Sequence, residues 1–238
     1  MIALLACSAV AACGGTAATT PVTASNFGAQ FGGAICARKL ACCAGVSGLT
    51  TAAKCTARLG DGFYQPALDA ETATGHVTFD AATAATCLSD LQNLPCGNFL
   101  SYAQIPASCF AVTTGSLATG ANCTFGAECA TTSCGGIKQD SSGHVTAPGK
   151  CAVPGGPGQA CVQPNQSGAT CAAGATIDPS TAPACLCKVT LANGGSCDLH
   201  GQCTSSYCDP GTSKCAAIPQ VSSLAAASCQ DLRATNYP

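Results

Sequence analysis

Apolar positions recur at helical spacing from residue 27 onward: Phe27, Phe31, Ile35, Cys36, Leu40 and Cys43 fall on one side of a helix. Ser25, just ahead of them, is the expected N-cap. A weaker helix is expected from Thr51 through "AAKCTARL", with Gly60 near its end. The clearest pattern is "DAATAATCLSDLQNLP". Asp80 is a good N-cap, Ala84, Cys87, Leu88, Leu91 and Leu94 form one face, and Pro95 stops the helix. Cys87 lies on that buried stripe, where a neighbouring element can present a second sulfur.

Past residue 112 the periodicity is lost. From Phe27 to Val112, 21 large apolar residues occur in 86, whereas Gly120 to Cys215 holds 11 in 96. The fold expected is a small α-helical, disulfide-braced domain at 25–112, followed by a disulfide-rich region of loops and short β-hairpins at 113–216. The tail, 217–238, contains "SSLAAASCQDLRA", a short helix begun by Ser222 or Ser223.

Composition explains how so poor a core could hold. Leu, Ile, Val and Phe make 39 of 238 residues, below what an ordinary core needs. Disorder would bring high net charge as well, yet the net charge is −2. The 22 cysteines place the chain among disulfide scaffolds, in which cross-links of ~2–5 kcal/mol each restrict the unfolded chain. Charged residues form no run longer than Arg38-Lys39. With no basic patch and no aromatic platform, nucleic-acid binding is not expected.

The cysteines fall into groups. The helical domain holds seven: Cys36, Cys42, Cys43, Cys55, Cys87, Cys96 and Cys109. Beyond it, "GANCTFGAECATTSC" and "GGSCDLHGQCTSSYC" share C-x5-C-x4-C spacing, at Cys123, Cys129, Cys134 and at Cys197, Cys203, Cys208. Each has a glycine three residues before its first cysteine, and fourth cysteines follow at Cys151 and Cys215. In the first copy the additional residues, around Asp140 to Gly143, read as a turn between two strands. A degenerate unit between them comprises Cys161, Cys171, Cys185 and Cys187, with Gly158 again three before the first.

Each unit permits three connectivities. In the last, a hairpin at "DPGTS" sets Cys208 beside Cys215. They pair directly, or cross as Cys197–Cys208 and Cys203–Cys215, which ties each strand to the preceding loop. The odd seventh cysteine of the helical domain must pair elsewhere. Cys229, in the tail, is the expected partner, the alternatives being a free thiol or an intermolecular bridge.

This pattern, closed by "YCDPGTSKC", resembles the Dickkopf-type N-terminal cysteine-rich repeat. The whole layout is similar to secreted or lipidated cysteine-rich proteins of myxobacteria and related bacteria. That resemblance implies an exported surface protein and lends no catalytic residues.

The first residues, "MIALLACSAVAACGG", have the length of a signal h-region, too short to span a bilayer. "VAAC" at 10–13 resembles a lipobox, making Cys13 the acylated residue, residues 1–12 the signal and 13–24 a flexible tether. "LLAC" ending at Cys7 competes, but acylating Cys13 leaves an even twenty cysteines. No Lys or Arg precedes the apolar stretch, so a misassigned start and a plain cleaved signal are alternatives.

Other chemistry is sparse. There is no C-x2-C, and "CLC" at Cys185 and Cys187 is the one C-x-C, so zinc, thiolate clusters and C-x-x-C redox catalysis are disfavoured. His76, His144 and His200 read as surface residues in turns or loops. No G-x-S-x-G elbow appears, and "GHVTAPGKC" lacks the glycine spacing and hydroxyl of a phosphate loop. Asn165 begins an N-x-S sequon, relevant only in a eukaryotic host. The expectation is a non-catalytic module without a cofactor, membrane-tethered through its lipid, with a protein or glycan as ligand. The alternative is a small disulfide-rich secreted enzyme or protease inhibitor.

Overall fold

The structure is a computed structural model that describes residues 20–101, 105–142, 144–162, 171–178 and 185–233, with the backbone alone at 61 and 63. Cys7, Cys13, the signal segment, the tether as far as residue 19 and Asn165 lie outside the described residues. An N-terminal helical part is followed by short antiparallel strand pairs and many disulfides.

Helix α1 spans Ala24–Cys42. Its N-cap is Thr23, not Ser25: Thr23 has the extended backbone a cap requires, and its N–H donates to Asn26 Oδ1 at 2.8 Å. Phe27, Phe31 and Cys36 are buried as the periodicity requires. Helix α2, Ala52–Thr56, is capped by Thr51 but does not stop at Gly60. The chain continues as a π-helical segment, Ala57–Tyr64, directly into α3, Gln65–Ala73. Gly60 sits inside this run because α1 crosses there backbone to backbone. A Cβ on Gly32 would fall 2.8 Å from Gly60 Cα, and one on Gly60 would fall 2.8 Å from Ala29 Cα. Glycine at both positions is a packing requirement rather than a helix stop.

Strand β1, Val77–Phe79, leads into α4, Ala81–Gln92. Asp80 caps α4, accepting the N–H groups of Ala82 (2.9 Å) and Thr83 (3.0 Å). Ala84, Cys87, Leu88 and Leu91 face inward; Leu94 is buried just past the helix end. Two 3₁₀ turns, Cys96–Leu100 and Ala107–Ala111, bring the chain to β2, Thr113–Gly115, which pairs antiparallel with β1. Thus β2, beyond the expected boundary at 112, hydrogen-bonds into the helical part.

Two clusters fill that part. One is conventional, with Phe27, Phe31, Leu68, Leu88, Leu91 and Val112 at its centre. The other is built around Cys36, Cys42, Cys43, Cys55, Cys96 and Cys229, joined by Leu224 and Leu232 from the tail. The tail helix is a 3₁₀ turn, Ala226–Leu232, starting after Ala225 rather than at Ser222 or Ser223. It docks by main-chain bonds, Leu224 N–H to Cys42 O and Thr50 N–H to Leu232 O, both 2.7 Å.

Between these ends run β3 (Asn122–Cys123), β4 (Cys134–Gly135), β5 (Lys138–Gln139), β6 (Val145–Ala147) and β7 (Gly149–Cys151). Next come β8 (Ala175–Asp178), β9 (Leu186–Val189), β10 (Cys208–Asp209) and β11 (Lys214–Cys215). Strand β7 lies between β3 and β4, and the others pair as β5–β6, β8–β9 and β10–β11, all antiparallel. The buried clusters here are four cysteines each, flanked by Leu117 and Ile137 in one and Leu191 in the other. Sulfur takes the place of a hydrophobic core. Among the described residues no helix is long and apolar enough to cross a membrane.

Candidate functional site

All twenty described cysteines are paired. The helical part contains Cys36–Cys55, Cys42–Cys96 and Cys87–Cys109, and Cys43 bonds to Cys229 of the tail. The later groups pair as Cys123–Cys134 with Cys129–Cys151, Cys161–Cys185 with Cys171–Cys187, and Cys197–Cys208 with Cys203–Cys215. In all three groups the first cysteine takes the third and the second takes the fourth. Cys208 and Cys215 are register partners on β10 and β11, yet each bonds to a preceding loop instead of its neighbour.

The glycines three residues before each group now have a physical reason. Gly120, Gly158 and Gly194 have φ of 87°, 79° and 92°, a region costly for any residue with a Cβ. Each donates its N–H at 2.8 Å to the carbonyl of its group's fourth cysteine: Cys151, Cys187 and Cys215. The fourth cysteine answers through its own N–H to the carbonyl of the next residue, Ala121, Gln159 or Gly195. These bonds close the loop independently of the sulfurs.

A second recurring device carries no signature visible in spacing. Glu128, only 3% exposed, precedes Cys129 and accepts N–H groups from Thr124 at 2.5 Å and Phe125 at 2.8 Å. Gln202, 6% exposed and preceding Cys203, accepts from Asp198 at 2.8 Å and Leu199 at 3.3 Å. An oxygen at that point satisfies the turn between the first two cysteines. Burial works to raise the Glu128 pKa, but the donors, Phe125 N–H first and then Thr124, hold it below the usual carboxylate value.

A depressed carboxylate contributes stability that is present above the unfolded pKa and lost as pH falls through the folded one. Acid should therefore loosen the first group. Glu128→Gln keeps an acceptor oxygen for the Thr124 and Phe125 donors and should flatten the acid limb of stability, whereas Glu128→Ala strands the two N–H groups and the Thr124 hydroxyl and should cost about 1–3 kcal/mol. Denaturant titrations at pH 7 and pH 3 measure both effects. An equal acid loss in wild type and Glu128→Gln would contradict the assignment.

The metal alternative meets a chemical obstacle. Cys123, Cys129 and Cys134, and likewise Cys197, Cys203 and Cys208, present sulfurs within 4.8 Å of one another. That proximity arises from two adjacent disulfides, and a bonded sulfur is not the thiolate a metal requires. The residues present do not fit a metal while they are oxidised.

The histidines do not converge. His76 and His144 are exposed. His200 differs from its expected surface role: half-buried, it accepts the Cys208 N–H on Nδ1 at 2.9 Å and stacks on Tyr207. Asp140, Ser142 and His144 contain the residue types of a hydrolase triad. Yet Ser142 Oγ (3.0 Å) and Asp140 (3.7 Å) both face the same ring nitrogen, Nδ1, while Ser142 also bonds Asp140 at 2.6 Å. A relay needs the acid and the nucleophile on opposite nitrogens. This set is the bonding of the β5–β6 turn. Cys151 and Lys150 of "GHVTAPGKC" lie in β7, and Cys151 is in a disulfide.

What remains is a cavity of about 520 Å³ where the helical part meets the first cysteine group. Its wall includes Phe27 of α1, Tyr64 from the π-helical segment, Leu68 and Glu71 of α3, Phe110 of a 3₁₀ turn and Val112. The Cys87–Cys109 disulfide ties the turn bearing Phe110 to α4. Phe31 packs on Tyr64 with the rings tilted and 4.0 Å between centroids, and Phe27 packs on Phe79 at 5.6 Å, so the wall is braced from behind. Glu71 is half-buried; burial first and then the charge of Glu128 push its pKa up. Tyr64 is likewise raised, by burial and then by Glu71. The size is within the range of small-molecule sites, which are mostly apolar with few polar groups. None of these wall residues belongs to a motif, so their convergence from four separate segments is invisible in the sequence.

Compared with known proteins, the chain matches no family model, no curated protein and no solved structure.

Proposed function

We propose that the chain is a non-catalytic, exported cysteine-rich protein that acts at the cell surface as a binding module, tethered by an acyl group on Cys13. The observation that carries this reading is the complete pairing of the described cysteines in ten disulfides, which point to folding in an oxidising environment. Pairing of twenty cysteines also leaves Cys13 and Cys7 as the remaining two of 22, and the "VAAC" sequence favours Cys13 for the lipid. The cavity beside Tyr64 and Glu71 supplies a place for a ligand.

The three later groups are read as copies of one unit, of the kind that resembles the Dickkopf-type repeat. The connectivity and positive-φ glycine common to all three, and the buried acceptor common to the first and third, support that reading. Their disulfides make a rigid support rather than a reactive centre.

Expression in a bacterium that acylates lipoproteins, with an alkyne fatty acid supplied, tests the tether. The label should appear in the membrane fraction, on an N-terminal peptide beginning at Cys13, and vanish in Cys13→Ser. An exported protein with an unmodified Cys13, or a mature terminus elsewhere, would overturn the anchor.

A further inference from the structure

The cavity has a chemistry more specific than its apolar lining indicates. Glu71 projects from α3 into a wall that is mostly apolar, with Phe27, Tyr64, Leu68, Phe110 and Val112, and that also carries the hydroxyls of Thr113 and Thr132. Among the described residues around this cavity there is no Lys, Arg or His. Among the described residues the Glu71 carboxylate has neither a hydrogen-bond donor nor an ion-pair partner. The charge that acts on it among the described residues is a second carboxylate, Glu128, which is already satisfied by Thr124 and Phe125. A carboxylate thus lies half out of water, beside another negative charge, with aromatic rings around it.

Each class of occupant meets this arrangement differently. A neutral apolar ligand would remove the remaining water from Glu71 and replace it with nothing, an unfavourable exchange for a charged group. An anion would be repelled by both carboxylates. A cation gains a charge-assisted bond to Glu71 and, on aromatic faces, a further attraction. Phe110, 70% exposed at the cavity, gives an apolar body somewhere to lie. Such exposure for a phenylalanine fixed beside a disulfide has no packing explanation of its own.

We propose that this cavity binds a small organic cation, an ammonium group on an apolar body, with Glu71 as the counter-ion and Tyr64 and Phe110 as the aromatic walls. The proposal rests on the binding-module reading and gives it a ligand class. Glu71 acts as a binding residue; no bond is made or broken.

Three isosteric probes test it on the oxidised full-length chain at pH 7: 3-phenylpropylamine, 3-phenylpropanol and 3-phenylpropionate, titrated with detection by amide chemical shifts. The amine should bind most tightly, shift the amides of Glu71, Val112 and Thr113, and displace the alcohol, while the propionate should bind most weakly. Glu71→Gln, nearly isosteric, should weaken the amine about 10- to 100-fold, the scale of a lost hydrogen bond to a charged group, and leave the alcohol unchanged. Phe110→Ala, on an exposed side chain, should weaken both. Amide spectra of the variants show that each is folded.

If the alcohol binds wild type as tightly as the amine, or Glu71→Gln leaves the amine's affinity intact, the cation assignment is overturned while the cavity remains a binding site. If no probe moves the lining amides, the cavity is not a site and the binding-module reading loses its support with it.

Discussion

Full reduction of the chain is expected to unfold residues 119–216 while leaving a substantial part of the helical signal. The reason is the different content of the clusters. Around α1 and α4 the interior is Phe27, Phe31, Leu68, Leu88, Leu91 and Val112, and burying such side chains contributes about 1.5–3 kcal/mol apiece whatever the redox state. In the later groups the interior is the disulfides themselves, with one or two flanking aliphatic residues. Strands there are two to four residues long, below the length at which isolated hairpins hold.

Once the sulfurs are separated, the glycine-to-cysteine main-chain bonds are left to hold each loop against its own entropy, roughly 1–2 kcal/mol per residue fixed. Far-ultraviolet circular dichroism should keep helical character in reductant. Limited proteolysis should cut first between Ala121 and Ala216. Equal resistance of the two halves with and without reductant would sink the argument. The second helical cluster, rich in Cys36, Cys42, Cys43 and Cys96, should loosen too, so partial rather than full retention is expected.

Where apolar spacing was dense the sequence was legible. Asp80 as the cap of α4, its inward face and the hairpin between Cys208 and Cys215 all follow from local chemistry. The π-helical run around Gly60 was not legible, because its cause is the backbone of α1 arriving from thirty residues away. Local rules read glycine as a stop. Ser25 likewise satisfied the rule for a cap, but Thr23 satisfies it too, and the bond from the Thr23 N–H to Asn26 Oδ1 sets the start earlier.

Cysteine spacing revealed three groups and did not reveal their floor, since Glu128 and Gln202 are ordinary polar residues until their burial is known. Comparing the residue before the second cysteine in the two matching copies, Glu in one and Gln in the other, was the signal available. The cavity could not be found this way, because Phe27, Tyr64, Glu71 and Phe110 share no spacing.

The second large effect is expected from the bond that joins the tail to α1. Cys43 and Cys229 are 186 residues apart in sequence, but the other nine disulfides shorten what that closure is worth. Passing through Cys42–Cys96, Cys87–Cys109, Cys129–Cys151, Cys161–Cys185 and Cys203–Cys215, the shortest covalent path between them is about 70 residues. In the chain-entropy model closing such a loop contributes about 4 kcal/mol.

Replacing both cysteines with serine, which leaves no odd thiol to exchange, should therefore lower stability by roughly that amount. The variant should still fold, because the tail keeps its main-chain bonds to Cys42 and Thr50, the Lys39–Asp231 ion pair at 2.5 Å and the Arg233 bond to Ser47 O at 2.8 Å. What should change is the order of events. In the wild type the three cysteine groups are held at both ends, by the β1–β2 pair and by Cys43–Cys229. With the bond removed, the tail should detach first, exposing Leu224 and Leu232 from the sulfur-rich cluster. Hydrogen exchange at Thr50 and Leu224, compared with exchange inside α4, reads this directly. Unchanged protection at both amides, together with an unchanged denaturation midpoint, would show that packing alone holds the tail and that the closure contributes little.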